Sequence, residues 1–244
     1  MPTLIASAKA RIVYLNIPKS GCTSFKNWLY WIDYGTYLDD PMAVHRLQES
    51  LFLVYDDNPR GFEERLPDYT FTFVRHPLRR AYATFNDKIA HSEAPYFKRF
   101  RKAFSKHYGV RLDGRGYGLL DILRSPEDRA RRWHQDTFVK FLHFVEDTRT
   151  GRIDVPYDWH WAEQTHVLDN ARPIRVPDFI GKLENMDKEF PTVAAHAGVD
   201  AGTLRHLNEG ARLGPRYEDV VNDQIRELGA QVYANDFKQF GYEP

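Results

Sequence analysis

The 244-residue chain has a single cysteine. One thiol excludes an internal disulfide and any cysteine-based zinc cluster, and it suits a reducing cytoplasm. Net charge is also missing: 34 Lys plus Arg stand against 34 Asp plus Glu. The whole-molecule field therefore gives no argument for DNA, RNA or a membrane surface as partner, and any preference for anions must be local. No stretch approaches the roughly 18 apolar residues of a membrane span, and no signal peptide precedes the first strand, so a cytoplasmic protein without a membrane anchor is expected. No repeat or low-complexity tract divides the chain. Its length suits one sizeable core, a single domain over residues 1–244.

Two strand-to-helix junctions organise the sequence. Arg11 to Ile17 reads as a buried strand, and Ser24 to Tyr34 as a helix with Phe25, Trp28, Leu29 and Ile32 on one side and Gly35 as its stop. Leu51 to Tyr55 is an apolar run open to either assignment, including a helix continuing from Pro41. Tyr69 to Val74 is β-branched and aromatic, hence a strand, and Pro77 follows at a first helical position with Leu78, Ala81, Tyr82, Phe85 and Ile89 at helical spacing. Ser125-Pro126-Glu127-Asp128 reads as a capped start for a helix through Val145. Phe179 to Leu183 is expected as a late strand, and Tyr217 to Phe237 as one closing helix. Alternation of this kind predicts an α/β fold: a P-loop-like domain with a mostly parallel central sheet, helices on both faces, and ligands at the carboxyl ends of the strands.

The first junction is built for an anion. Between the strand and the helix lies Pro18-Lys19-Ser20-Gly21-Cys22-Thr23-Ser24. A strand feeding such a turn leaves backbone N–H groups free at the helix start, the helix dipole adds positive potential, and Lys19 adds a full charge. Phosphate or sulfate is the natural occupant. The commoner nucleotide loop, GxxxxGK[ST], is absent: here the lysine precedes the only glycine. At the second junction, Arg75 ends a strand beside another helix start, so a guanidinium and free amides can grip a second phosphate together. Taken singly, Arg75 and Arg80 could equally be surface arginines.

The Pro-Lys-x-x-Cys-Thr string resembles the 5′-phosphosulfate loop of sulfotransferases that use 3′-phosphoadenosine 5′-phosphosulfate (PAPS), in their carbohydrate, Golgi-type family 2 branch. Arg75-x-Pro77-x-x-Arg80-x-x-Ala83 resembles the family's 3′-phosphate motif Arg-x-Pro-x-x-Arg-x-x-Ser, with Ala83 in place of the serine. Thr84, next along, points roughly 100° further around a helix and is a doubtful substitute. His160-Trp161-x-x-Gln164, Ile180 to Glu184, His206-Leu207-Asn208 and Tyr233 to Tyr242 resemble later signatures of the family, in order.

The resemblance implies a cofactor site of Lys19, Ser20, Gly21, Cys22, Thr23, Ser24, Arg75 and the Ala83 position. Cys22 there reads as a small packing residue, and Arg80 as a brace of the fold. Sulfuryl transfer, like phosphoryl transfer, depends mainly on positioning and on neutralising the leaving oxygen, which assigns that task to Lys19 and calls for no metal. An acceptor hydroxyl needs a general base, and histidine titrates in the right range. His45, between the two junctions, is the first choice, since the resembled enzymes often carry a catalytic histidine there. His160 is the second choice; otherwise His160 and Trp161 shape the acceptor pocket, or Trp161 simply packs.

Residues 91–118 read as a mobile acceptor-side insertion, rich in cations between Lys98 and Arg115. The same pattern fits an amphipathic helix. The expected acceptor is a carbohydrate, a glycoconjugate or another small hydroxyl compound, and the oligomeric state is not legible. Two other classes stay open at this point: an ATP-dependent P-loop kinase, and a non-catalytic nucleotide- or glycan-binding relative, which the alanine at position 83 would suit.

Overall fold

The computed structural model describes residues 3–7, 9–47, 52–55, 69–112, 124–207 and 214–244, with side chains except at 53–55. The chain divides into two compact units, one of Met1–His76 with Gln164–Ala211 and one of Pro77–Glu163 with Arg212–Pro244.

The first unit holds a five-stranded sheet of β1 (Thr3–Ala6), β2 (Ile12–Asn16), β3 (Leu53–Tyr55), β4 (Tyr69–Val74) and β5 (Phe179–Lys182), in the order β3-β1-β2-β4-β5. β2, β4 and β5 pair in parallel, whereas β1 is antiparallel to both β2 and β3. Four of the five strands thus run the same way, and helices flank them, in agreement with the mostly parallel α/β sheet read from the sequence. Register explains the core. Tyr14, Phe71 and Phe179 stand side by side across the parallel strands, and Phe73 faces Gly181. A Cβ at Gly181 would lie 2.4 Å from the Phe73 ring, so only glycine fits there. Phe25 and Trp28 of α1 (Cys22–Tyr34) and Phe190 of α7 (Met186–His196) close over this aromatic face. On the opposite face Thr72 donates to Leu15 O (2.8 Å), and Arg175 Nε, just after α6 (Gln164–Ala171), donates to Thr70 Oγ1 (3.0 Å).

α1 stops where expected, at Gly35 with φ 77°, whose N–H bonds back to Trp31 O. The ambiguous stretch after Pro41 splits into a one-turn α2 (Ala43–Arg46) and, further on, β3.

The second unit is helical: α3 (Pro77–Thr84), continued by a π-helical turn over Phe85–Ala90, α4 (Lys98–Tyr108), α5 (Pro126–Arg149), α8 (Tyr217–Val220), α9 (Asp223–Val232) and α10 (Ala234–Phe240). Ser125 Oγ accepts from Asp128 N, the cap its sequence predicts. Phe138, Phe141, Phe144 and Trp161 form the centre of this unit's core. One expectation changes here. The single closing helix over Tyr217–Phe237 is three helices: Val221 is extended, Asn222 Oδ1 caps a new start by accepting from Ile225 N, and Tyr233 leaves the helical region. Within 91–118, α4 buries Phe100 and Phe104 and exposes Lys98, Arg99, Lys102 and Lys106, the amphipathic alternative. Residues 113–118 of that segment lie outside the described residues.

Candidate functional site

In the first unit the loop after β2 turns on two left-handed residues. Lys19 has φ 68°, unusual for a side chain with a Cβ, and Gly21 has φ 83°. A Cβ on Gly21 would also approach Phe25 and Leu183 to 2.9 and 3.0 Å, so conformation and space both demand glycine. α1 begins immediately, with no side-chain cap and no acid in its first turn. The first intrahelical bond is Phe25 N to Gly21 O, so the amides before it have no acceptor within the helix. A lysine, first-turn amides with no acceptor inside the helix and a first turn free of acids fit a phosphate or sulfate group.

The loop's hydroxyls are divided among different tasks. Ser20 is fully buried and donates to Gln164 Oε1 (3.2 Å). Gln164 also bonds both polar groups of the Arg75 backbone: Oε1 accepts from Arg75 N and Nε2 donates to Arg75 O, each at 2.8 Å. One amide thus ties the first loop to the carboxyl end of β4, and Arg75 Nη1 adds a bond to Lys19 O (3.3 Å). Gln164 belongs to a signature string but had no role in the sequence reading; only the 144-residue separation closed by folding gives it one. Ser24 Oγ accepts from Leu207 N (3.0 Å), while Asn208 lies outside the described residues. Thr23 Oγ1 meets His45 Nε2 at 2.9 Å, so folding brings His45 of α2 to the loop. Behind it, the buried Lys26 puts Nζ 3.3 Å from His45 Nδ1, a contact with no sequence signal. Desolvation pulls the Lys26 ammonium below the usual lysine range. Cys22, half-buried, carries a free thiol.

The second unit holds the remaining candidates. Arg80 is buried and braces the chain, donating to Ala162 O (2.7 Å) and Trp159 O (2.8 Å). Ala83 sits half-exposed on α3, and the neighbouring Thr84 spends its hydroxyl on His160 O (2.7 Å). His160 Nδ1 lies 2.6 Å from Asp158 Oδ1, with Tyr96 donating to the other carboxylate oxygen at 2.5 Å. Burial pushes the Asp158 carboxyl up, but these bonds outweigh it and leave it below the usual range. An Nδ1–H given to a carboxylate leaves Nε2 as the acceptor nitrogen. Trp161 is wholly buried, edge-on to Phe100 and Phe141, and packs rather than presenting a ring.

Among the described residues, no group of three or more His, Cys, Asp or Glu gathers as for a metal ion, and no helix is long and apolar enough to cross a membrane. The chain is 23% identical over 252 residues to carbohydrate sulfotransferase 11 of Rattus norvegicus, covering 98% of this chain and 66% of that protein. It is 22% identical over 261 residues to carbohydrate sulfotransferase 12 of Mus musculus (98% and 59%) and 27% identical over 245 residues to carbohydrate sulfotransferase 8 of Homo sapiens (95% and 53%). The chain thus spans between half and two thirds of the length of these curated relatives. No solved structure gives a significant match. The model of the sulfotransferase family matches residues 2–243, nearly the entire chain, and the protein belongs to that family.

Proposed function

We propose that this chain transfers a sulfuryl group from PAPS to a hydroxyl of a carbohydrate or glycoconjugate. One observation carries the reading: a lysine loop feeding an acid-free helix start, in a chain of the sulfotransferase family whose relatives are named for carbohydrate. Bound PAPS would supply the activated sulfuryl group. The amides from Gly21 to Ser24 and the Thr23 hydroxyl hold its 5′-phosphate end; Ser20, whose amide donates to Ile17 O and whose hydroxyl donates to Gln164, shapes the loop, and Ser24 acts through backbone because its hydroxyl is engaged with Leu207. Lys19 faces the bridging oxygen and neutralises the charge that develops there as the bond to sulfur breaks. Arg75, with its peptide fixed by Gln164, offers its guanidinium to the 3′-phosphate, the group that the motif's ninth residue, here Ala83, is also read to serve. His45 takes the proton of the acceptor hydroxyl as general base. His160, oriented by Asp158, contacts the acceptor, and Trp161 supports it by packing. A cytoplasmic location is proposed with this reading, on the single cysteine.

The test is transfer of radiolabel from PAPS to a panel of glycans and small hydroxyl compounds. Wild type labels at least one of them, adenosine 3′,5′-bisphosphate raises the melting temperature, and Lys19→Ala abolishes transfer while weakening bisphosphate binding far less. Intact transfer by Lys19→Ala overturns the assignment. A second reading, binding without catalysis, draws on Ala83: the motif serine is absent and Thr84 Oγ1 is already bonded within its own unit. Ala83→Ser adds one hydrogen bond to a charged group and should tighten bisphosphate binding about tenfold. An inactive wild type that binds the bisphosphate and a glycan would favour the second reading.

A further inference from the structure

His45 is held at both ring nitrogens, and both holders come from α1. Thr23 and Lys26, three residues apart, lie on one face of the helix and reach the same ring: Thr23 Oγ1 is 2.9 Å from Nε2 and Lys26 Nζ is 3.3 Å from Nδ1. Asn27 Nδ2 fixes the arrangement by donating to Thr23 O and to Pro41 O, which leads into α2. His45 is exposed, whereas the lysine behind it is 3% exposed.

The ring chemistry follows from its partners. A charged Lys26 has only donors, so the Nδ1 that faces it must accept, and the neutral imidazole carries its proton on Nε2 and gives it to Thr23 Oγ1. In that tautomer neither nitrogen can take a proton from an incoming hydroxyl. With Lys26 neutral the polarity reverses. Nδ1–H donates to Nζ, and Nε2 becomes an acceptor that takes the Thr23 O–H until an acceptor hydroxyl replaces it and frees Thr23 for the phosphate.

We propose that Lys26 is a positioning residue that sets which nitrogen of His45 carries the proton, and thereby whether His45 can serve as a base. The inference rests on the reading of His45 given above. In the competent state the acceptor O–H proton moves to Nε2 as its oxygen bonds to sulfur. The bond between sulfur and the phosphate oxygen breaks, and its electron pair stays on that oxygen. The Nδ1 proton passes to Nζ, leaving a neutral ring and an ammonium. Burial lowers the cost of the neutral lysine. The Cys22 thiol one turn back also acts on Lys26, and its charged form would favour the ammonium. Arg46 and Asp40, also near α2, pair with each other in solvent, and His206 is directed to Asp187.

Histidine 15N NMR on the unliganded full chain, with pH profiles of kcat for wild type, Lys26→Met and Lys26→Arg, tests the proposal. Wild-type His45 should be the Nε2–H tautomer near neutral pH, with an acid limb of kcat that follows loss of the Lys26 proton. Lys26→Met removes the ammonium behind Nδ1 and should move that limb to lower pH. Lys26→Arg, permanently charged, should keep the Nε2–H tautomer and lose about tenfold or more in kcat at unchanged donor KM. A lysine that only filled space would give the opposite order, with Arg no worse than Met. Wild-type kcat in Lys26→Arg, or an unchanged His45 titration in Lys26→Met, overturns the proposal. Should neither variant fold, an Nδ1–H tautomer in the wild type overturns it alone. Full activity in His45→Gln together with the expected NMR result would remove His45 as the base while leaving its coupling to Lys26 in place.

Discussion

Lys19 combines two properties that a single residue rarely joins: a left-handed backbone, which side chains resist, and the charge that the loop presents. The two can be separated. Lys19→Gly relieves a backbone cost of about 1 kcal/mol, so it should melt no lower than wild type and yet transfer no sulfuryl group. A substantial drop in melting temperature would show instead that the lysine side chain supports the fold. Gly21 is the converse case. Gly21→Ala meets both a positive φ and two close side chains, and should cost about 1–3 kcal/mol while erasing the melting shift given by adenosine 3′,5′-bisphosphate. Gln164 is the residue on which the loop and the end of β4 both depend. Gln164→Leu leaves Arg75 N and Arg75 O without the partners they have here, and should destabilise by about 2–4 kcal/mol in urea melts. The Gln164 tie is not visible in the sequence, because Ser20, Arg75 and Gln164 meet only through the fold.

At the scale of elements, the legible ones were those with a strong local pattern. β2 and β4 are buried on both faces and so read as continuous apolar or β-branched runs. α1 and α5 carry their own stop and start signals, Gly35 and Ser125. β1, at four residues, is too short for a period and has no such punctuation. The closing segment reads as one helix in sequence because its apolar residues keep helical spacing across Asn222, whose capping value outweighs that continuity. Asn222→Ala should cost about 1 kcal/mol and no more, since the flanking helices are held by their packing. The packing is tight: a Cβ on Gly229 of α9 would lie 2.1 Å from Leu78 of α3. Gly229→Ala is therefore expected to destabilise by about 2 kcal/mol or more in thermal melts despite the better helix propensity of alanine; a stabilised variant would contradict this packing.

For the molecule as a whole, neutrality hides a marked dependence on acid. His134 is buried in the second unit with Nδ1 3.0 Å from Tyr82 Oη, and burial, aided by the charge of His91, pushes it down to about 4. A folded-state value below the unfolded one means that the stability is fully present above about pH 6.5 and is lost as the pH falls toward 4. The loss is on the order of 3 kcal/mol, and His91, also lowered, adds to it with the same sign. Urea melts of wild type between pH 7.5 and 4.5 should show this slope and His134→Gln should flatten it; parallel slopes would remove His134 as the cause. By itself the sequence determined the strand, loop and helix that carry Lys19, the second junction at Arg75 and the family, because each is written in neighbouring residues and needs only local geometry. Tertiary structure alone decided that Ser20 turns inward to Gln164, that β1 runs against its neighbours, that Trp161 is core, and that Lys26 stands behind His45. Contacts of that kind join residues far apart in the chain, or turn on which side of a helix faces the protein, and packing settles them only once the whole core has formed.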